Sequence, residues 1–293
     1  MTDADPDRGP DGGSGSDWPG PVLRATLDAL RARGAFDGVR LDRATVGTAA
    51  VLVELVGGGA DDAEGQHRAS AGLAHRPSGT SPSPPDDLDG LVVPFADRDA
   101  RDVPLGERAF AVAALNALSV PFLDWRTGDP MALLAASVSR ITTVGLFRPA
   151  FRKFDDVEVR VIEREPVAVE TVSTPPGVAV QAFTPTETAA AMKGADVVFV
   201  TGSTLVYGGI ERYLAAAPAS ATVVVVGATA SALPAPLFDR GVDVVAGAAI
   251  ADPERVRSAV ADGGCGTDLH DSGVRKVYAA RDAPETMDLQ SGT

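Results

Sequence analysis

Short apolar runs alternate with helix-compatible stretches through the second half of the chain. "ITTVGLF" (141–147), "VEVRVIE" (157–163), "ADVVFVT" (195–201), "ATVVVVG" (221–227) and "VDVVAG" (242–247) have the length of strands and are largely apolar. Runs of that kind suit strands covered on both faces, the condition of a mostly parallel sheet between helix layers. Segments 149–154, 185–193, about 205–216, 234–239 and 253–261 supply the crossovers, and "VRKVYAA" (274–280) adds a last strand. With right-handed crossovers the pattern predicts an α/β, Rossmann-like doubly wound, mostly parallel sheet over 141–280.

The first half keeps another rhythm. "PVLRATLDALRARG" (21–34) places Val22, Leu23, Leu27 and Leu30 at helical spacing before Gly34. "VRLDRATVGTAAVLVELVGG" (39–58) reads as two valine-rich strands and "HRASAGLAHR" (67–76) as a third. "PSGTSPSPPDDLDG" (77–90) is a loop by composition. "LGERAFAVAALNALS" (105–119) predicts a helix, and "DPMALLAASV" (129–138) a second, capped by Asp129 with Pro130 at its first position. The expected organisation is a disordered acidic tail (1–17), a small α+β domain (18–140), the Rossmann-like domain (141–280) and a flexible tail (281–293).

Composition narrows the function classes. The formal charge of the 293-residue chain is −14, with Lys153, Lys193 and Lys276 its only lysines. Nothing resembles a basic groove, so nucleic acid is not an expected partner. No apolar run approaches the roughly 18 residues that span a bilayer. The acidic, glycine-rich start lacks the pattern of a signal peptide, and the expected location is cytoplasmic with no membrane partner. Dispersed acidity with little lysine suits a halophile-like, concentrated-salt cytoplasm. A GC-rich genome produces the same bias, and composition leaves both open. The single cysteine, Cys265, excludes an internal disulfide framework and a multi-thiolate zinc site within one chain.

Ligands of open α/β sheets bind beyond the carboxyl ends of the strands, near the point where the winding reverses. Those ends read "VGLFRP", "VIERE", "VTGSTL", "VVGATAS" and "VVAGAA", and four of the five carry glycine among small side chains. Thr201, Gly202, Ser203 and Thr204 would form a strand-to-helix turn. Its amides and hydroxyls can hold an anion, or can simply cap the helix. Glu163, at the end of the strand after Gly145, stands where a dinucleotide fold holds a ribose hydroxyl. "GLFRPA" is not G-x-G-x-x-G, however, and Phe147 with Pro149 would crowd a pyrophosphate, so classical NAD binding is not expected. Of His67, His75 and His270, the last lies near Cys265, Asp268 and Asp271, a donor set able to chelate a metal or simply to be solvated. His75 ends a strand beside a loop, either as a surface histidine or facing a cleft between the domains. No Ser-His-Asp arrangement, P-loop or H-E-x-x-H occurs.

"ADVVFVTGSTLVYGGIERYL", "VVVVGATASALPAPLFDRGVDVVAG" and "VADGGCG" together resemble the putative heavy-metal chelation domain family. "VGLFRPAF" and "VRVIERE" fit its glycine–aromatic–proline turn and V-x-E strand, and "SAGLAHR" its N-terminal G-L-A strand. Tyr207-Gly208-Gly209 and Ala228-Thr229 depart from the family's usual residues. The resemblance implies a Rossmann-like C-terminal domain after an enolase N-terminal-like domain, with the ligand in the cleft between them. It also implies a role in heavy-metal or metal-cofactor handling, with a heavy or transition metal ion as the candidate cofactor.

The leading expectation is therefore a small anionic or metal-chelating ligand. Thr201, Gly202, Ser203 and Thr204 would hold it, Gly145 and Phe147 would form a wall, and Glu163 an acidic contact. Gly227 and Thr229 would close the adjacent turn, and His75 would reach in from the first domain. Cys265 and His270 are the candidate metal ligands. Two alternatives stay open: an enzyme acting on a nucleotide-like or pterin-like substrate, with Glu163 or His75 as acid–base, and a non-catalytic oligomeric scaffold. A homo-oligomer is open in every case.

Overall fold

The computed structural model describes residues 18–57, 69–96 and 103–289. The expected disordered tail 1–17, His67 and the last four residues lie outside the described residues. In chain order the elements are α1 (Gly20–Arg31), β1 (Val39–Val46), β2 (Ala50–Gly57), β3 (Ala69–His75), α2 (Leu88–Ala96), α3 (Leu105–Ser119), β4 (Arg126–Thr127), β5 (Arg140–Val144), β6 (Glu158–Ile162), β7 (Ala179–Phe183), α4 (Thr188–Met192), β8 (Val197–Thr201), α5 (Thr204–Tyr207), α6 (Ile210–Ala216), β9 (Thr222–Val226), α7 (Ala235–Phe238), β10 (Val244–Ile250), α8 (Pro253–Ala261), α9 (Thr267–Asp271) and β11 (Val274–Ala280).

Contacts divide the chain into two compact units. The first takes the described parts of Met1–Pro121 together with Leu205–Gly209 and Asp252–Gly273; the second takes Phe122–Thr204, Ile210–Ala251 and Val274–Thr293. In sequence, 205–209 and 252–273 fall inside the stretch expected to be the Rossmann-like domain, yet their contacts are with the first unit.

The first unit holds an antiparallel sheet in the order β1-β2-β3. Val51, Leu52, Val53, Leu55 and Leu73 of the sheet are buried, as are the alanines of α3. The buried Asn116 side chain of α3 donates to the Leu73 carbonyl at 2.7 Å. Both late segments are tied in by polar bonds. The Arg257 guanidinium of α8 grips Glu54 of β2 with two bonds of 2.7 and 2.8 Å, and the Trp18 indole donates to the Leu205 carbonyl. Arg108 lies over the Trp18 ring, and burial pulls its pKa down to about 10.

The second unit holds an eight-stranded sheet in the order β4-β11-β10-β9-β8-β5-β6-β7. The six strands β5 to β10 are parallel, and β11 and β4 close one edge antiparallel. From β7 through β6, β5, β8 and β9 to β10 the order is the Rossmann arrangement, wound outward in both directions from β5. The apolar runs become strands because their residues are covered on both faces: Val197 to Val200 and Val224 to Val225 have no exposed surface.

Several elements differ from the sequence expectation. "DPMALLAASV" forms only a 3-10 turn, Pro130–Ala132. Its following backbone is claimed instead by the C-terminal segment: Ala135 N–H donates to Thr286 and Asp288 N–H to Leu133. The stretch after 281 is accordingly not loose through 289; Met287 and Leu289 are buried, and Tyr278 donates to the Leu289 carbonyl. Asp129 does accept from the Met131 N–H, and it draws in two of the chain's three lysines, Lys153 and Lys276. Burial raises the Asp129 pKa, but the two ammonium groups outweigh it and leave the carboxyl below its ordinary value. The expected helix at 149–154 is a 3-10 turn, Arg148–Lys153. The expected helix at 205–216 is two pieces, α5 and α6, parted by Gly208 and Gly209 with φ of 87° and 85°, a backbone that glycine adopts without a Cβ clash. The short α2 and the edge strand β7 carry no periodicity strong enough to have been expected.

Candidate functional site

The winding of the large sheet reverses between β5 and β8, and the loops leaving those two strands meet there. A Cβ placed on Gly145 would lie 3.1 Å from Thr201 Cγ2 and 3.9 Å from the Phe147 ring. A Cβ on Gly202 would lie 2.9 Å from the Ala230 N–H nitrogen, in the turn that follows β9. Gly227 begins that turn, and a Cβ on it would lie 3.9 Å from Gly202 N. Three loops that are not adjacent in sequence therefore share one rim: 145–147 after β5, 201–204 after β8 and 227–230 after β9.

Glu163 joins the rim from β6. Its Oε1 accepts from the Leu146 N–H at 3.3 Å and its Oε2 from the Arg164 N–H at 3.1 Å. A carboxylate has about four lone-pair positions, so each oxygen retains capacity for a further donor. It is half-buried, as are Gly145 and Phe147.

The four residues of the Thr201–Thr204 turn do different work. The Gly202 N–H is spent on the Val226 carbonyl at 2.7 Å. Thr204 is buried, and its hydroxyl donates back to the Thr201 carbonyl at 2.7 Å. Thr201 and Ser203 are half-buried, and their hydroxyls form a pair at 3.1 Å. The Ser203 N–H leans on Thr201 Oγ1 at the long distance of 3.4 Å, weak enough to be exchanged for a better acceptor. With α5 only four residues long, little macrodipole stands behind this turn. Polar contact on this side rests on the two hydroxyls and one amide. Thr229 is 5% exposed and lies under the surface of its turn, whereas Gly227 is open to solvent.

Two residues of this region carry signals that sequence reasoning did not use. Ser231 donates to the Ala228 carbonyl and accepts from the Ala248 N–H, locking the turn after β9 to β10. Thr143 of β5 is fully buried, and its hydroxyl has no hydrogen-bond partner among the described residues. Its neighbour Thr142 points the other way and donates to Ala191. Two adjacent threonines inside an apolar strand run were the visible cue.

The remaining candidates lie in the first unit. His75 Nε2 is 3.2 Å from the Tyr207 hydroxyl, with ring centroids 5.7 Å apart. Cys265 is exposed and unbridged, and its N–H donates to Asp268 Oδ2. His270 sits on the five-residue α9, half-buried. Among the described residues no group of three or more His, Cys, Asp or Glu side chains is arranged to hold a metal ion. The hydroxyls and single carboxylate of the rim are hard donors, not the thiolate and imidazole donors that soft heavy metals select. No helix among the described residues is long and apolar enough to cross a membrane.

The fold has solved counterparts. A crystal structure of a DUF364-family protein of unknown function from Pyrococcus horikoshii aligns at TM-score 0.68 and 20% identity, over 89% of this chain and all of that one. One from Desulfitobacterium hafniense DCB-2, of the same family and also of unknown function, aligns at TM-score 0.58 and 14% identity, over 88% of this chain and all of that one. No curated protein matches. The family's sequence model matches residues 129–279, more than half of the chain, and the protein belongs to the DUF364 family, described as putative heavy-metal chelation.

Proposed function

We propose that the chain binds a small anionic ligand, itself able to chelate a metal, at the carboxyl ends of β5, β6, β8 and β9. The observation that supports this reading most is the meeting of the Gly145, Thr201–Ser203 and Gly227 loops where the winding reverses. Thr201 and Ser203 donate to the anionic group of the ligand, and Glu163 accepts from a hydroxyl or amine at its other end. Phe147 forms the apolar wall. In this reading the metal arrives already held by the ligand. The family description is then met without a protein-borne set of soft donors, in keeping with the donor chemistry of the rim.

Native mass spectrometry of the purified full chain tests the idea, followed by release and identification of any retained molecule. The expected result is a small polydentate acid, with or without metal, at up to one copy per chain, lost in Thr201→Val with Ser203→Ala. Retention of a bare metal ion that the double variant also keeps would sink it.

A second reading, an acid–base enzyme, is favoured by one observation: the His75–Tyr207 hydrogen bond. A tyrosine hydroxyl bonded to imidazole can relay a proton. A retained molecule of nucleotide or pterin type would favour this reading over the first.

A further inference from the structure

Among the described residues, three of the four sheet edges carry a guard against pairing with another chain. β1 has Arg40, Asp42 and Arg43 within it and an irregularity in register between Leu41 and Arg43. The outer strand β3 is engaged by α3 through the Asn116 bond to Leu73. β4 is only two residues long and begins with Arg126. Charges, bulges, short length and coverage are the ordinary devices that protect an edge.

Among the described residues the fourth edge, β7, has neither a charge nor a bulge within it. "AVQAF" contains no charged residue, in a chain whose formal charge is −14. Ala179, Gln181 and Ala182 are exposed and Val180 and Phe183 half-buried. The link from β6 to β7 holds one 3-10 turn, Val169–Thr171, in place of a crossover helix.

The ladder fixes which backbone groups face outward. β7 runs parallel to β6, with Ala179 N–H donating to Val157 and Glu163 N–H donating to Phe183. In a parallel ladder alternate residues bond the same neighbour, so Ala179, Gln181 and Phe183 turn their backbones toward β6. Val180 and Ala182 turn theirs away.

We propose that β7 pairs antiparallel with β7 of a second copy of this chain, about a two-fold axis at Gln181. Val180 then exchanges both of its backbone bonds with Ala182 of the other copy, and Ala182 with Val180. Four main-chain bonds join two eight-stranded sheets into one. Gln181 meets its own counterpart in the wide, non-hydrogen-bonded position, where Cα atoms lie about 4.5 Å apart. Isologous contacts of this kind are self-limiting and stop at the dimer. A neutral strip is what lets two strongly acidic molecules approach there.

Sedimentation velocity on the full chain up to roughly 100 µM tests the proposal. The expected result is a concentration-dependent dimer. Gln181→Lys places two like charges on the axis and is expected to raise the dimer Kd by up to about fivefold, with an unchanged far-UV spectrum because the side chain is exposed. Gln181→Cys in a Cys265→Ser background is expected to cross-link under mild oxidation, since the Cα separation falls within disulfide range. A wild-type chain that stays monomeric over the whole range overturns the proposal. So does a dimer that Gln181→Lys leaves unchanged, or one whose Gln181→Cys variant fails to cross-link.

Discussion

At its amino end β8 is preceded by Asp196, whose carboxylate accepts from the Ser139 N–H, the Ser139 hydroxyl and the Arg140 N–H. At its carboxyl end the same strand runs into Thr201 and Ser203, whose hydroxyls bond chiefly to each other. The neighbouring strands repeat the contrast. Asp243, just before β10, accepts from the Val223 N–H and from Arg281, while Gly227, just after β9, lies open. At one end Asp196 and Asp243, beside the starts of β8 and β10, close the backbone of the neighbouring strands. The opposite end brings small hydroxylated side chains and glycine together. The periodicity that makes the strands does not tell the ends apart; Asp196, Asp243 and Gly227, each one step outside its strand, do.

The sharpest break in this comparison comes from Gly202→Val. Its Cβ must push the Ala230 backbone away, so the variant is expected to lose about 2–3 kcal/mol of stability and essentially all ligand retention, read by chemical denaturation and native mass spectrometry. Wild-type retention would separate the turn from the site. Asp196→Ala is expected to cost less, about 1 kcal/mol, because the half-buried Arg140 N–H and the exposed Ser139 N–H lose their acceptor but can turn in part to water. It should leave ligand retention untouched.

Acid probes the same end. Burial raises the Asp196 pKa, but bonds from Ser139 and Arg140 outweigh it and hold the carboxyl below its ordinary value. A carboxylate depressed in the folded state stabilises the fold above its unfolded pKa of about 3.9, and that contribution disappears as pH falls through the lower folded value. Wild type should therefore lose more stability than Asp196→Ala on going from pH 5 to pH 2, and parallel acid titrations of the two would refute the assignment.

Thr201→Val and Ser203→Ala are expected to weaken ligand binding by about tenfold each while shifting Tm by no more than about 2 °C. A large Tm shift would make the hydroxyl pair structural. The smallest effect is expected from Thr143→Val: replacing a buried, unpartnered hydroxyl with a methyl of the same shape should stabilise the fold by about 1 kcal/mol. A fall in affinity there would extend the site down the strand.

The parallel core was legible because burial on both faces leaves no choice but apolar residues, as in "VVFVT" and "TVVVV". β7 was not, because an edge strand with three exposed residues has no such constraint. The helix expected at 129–138 failed for a different reason. Its apolar residues suit a helix, but the partner that claims the backbone, 286–288, is more than 150 positions away. The turn after β8 was visible as a candidate site, and the division of labour within it was not. That Gly202 and Thr204 are spent internally, leaving Thr201 and Ser203, depends on where Val226 and the Thr201 carbonyl fall in three dimensions. Gly208-Gly209 was visible as a departure from the family pattern; that it halves the following helix follows from two consecutive positive φ values.

The path of the chain constrains any attempt to take the protein apart. It leaves the second unit at Leu205, re-enters at Ile210, leaves again at Asp252 and returns at Val274. A gene fragment cut at Phe122 would export Arg257 without Glu54 and Leu205 without Trp18. Neither unit corresponds to an uninterrupted stretch of sequence, so dissecting their separate contributions calls for rewired or circularly permuted genes rather than simple truncation.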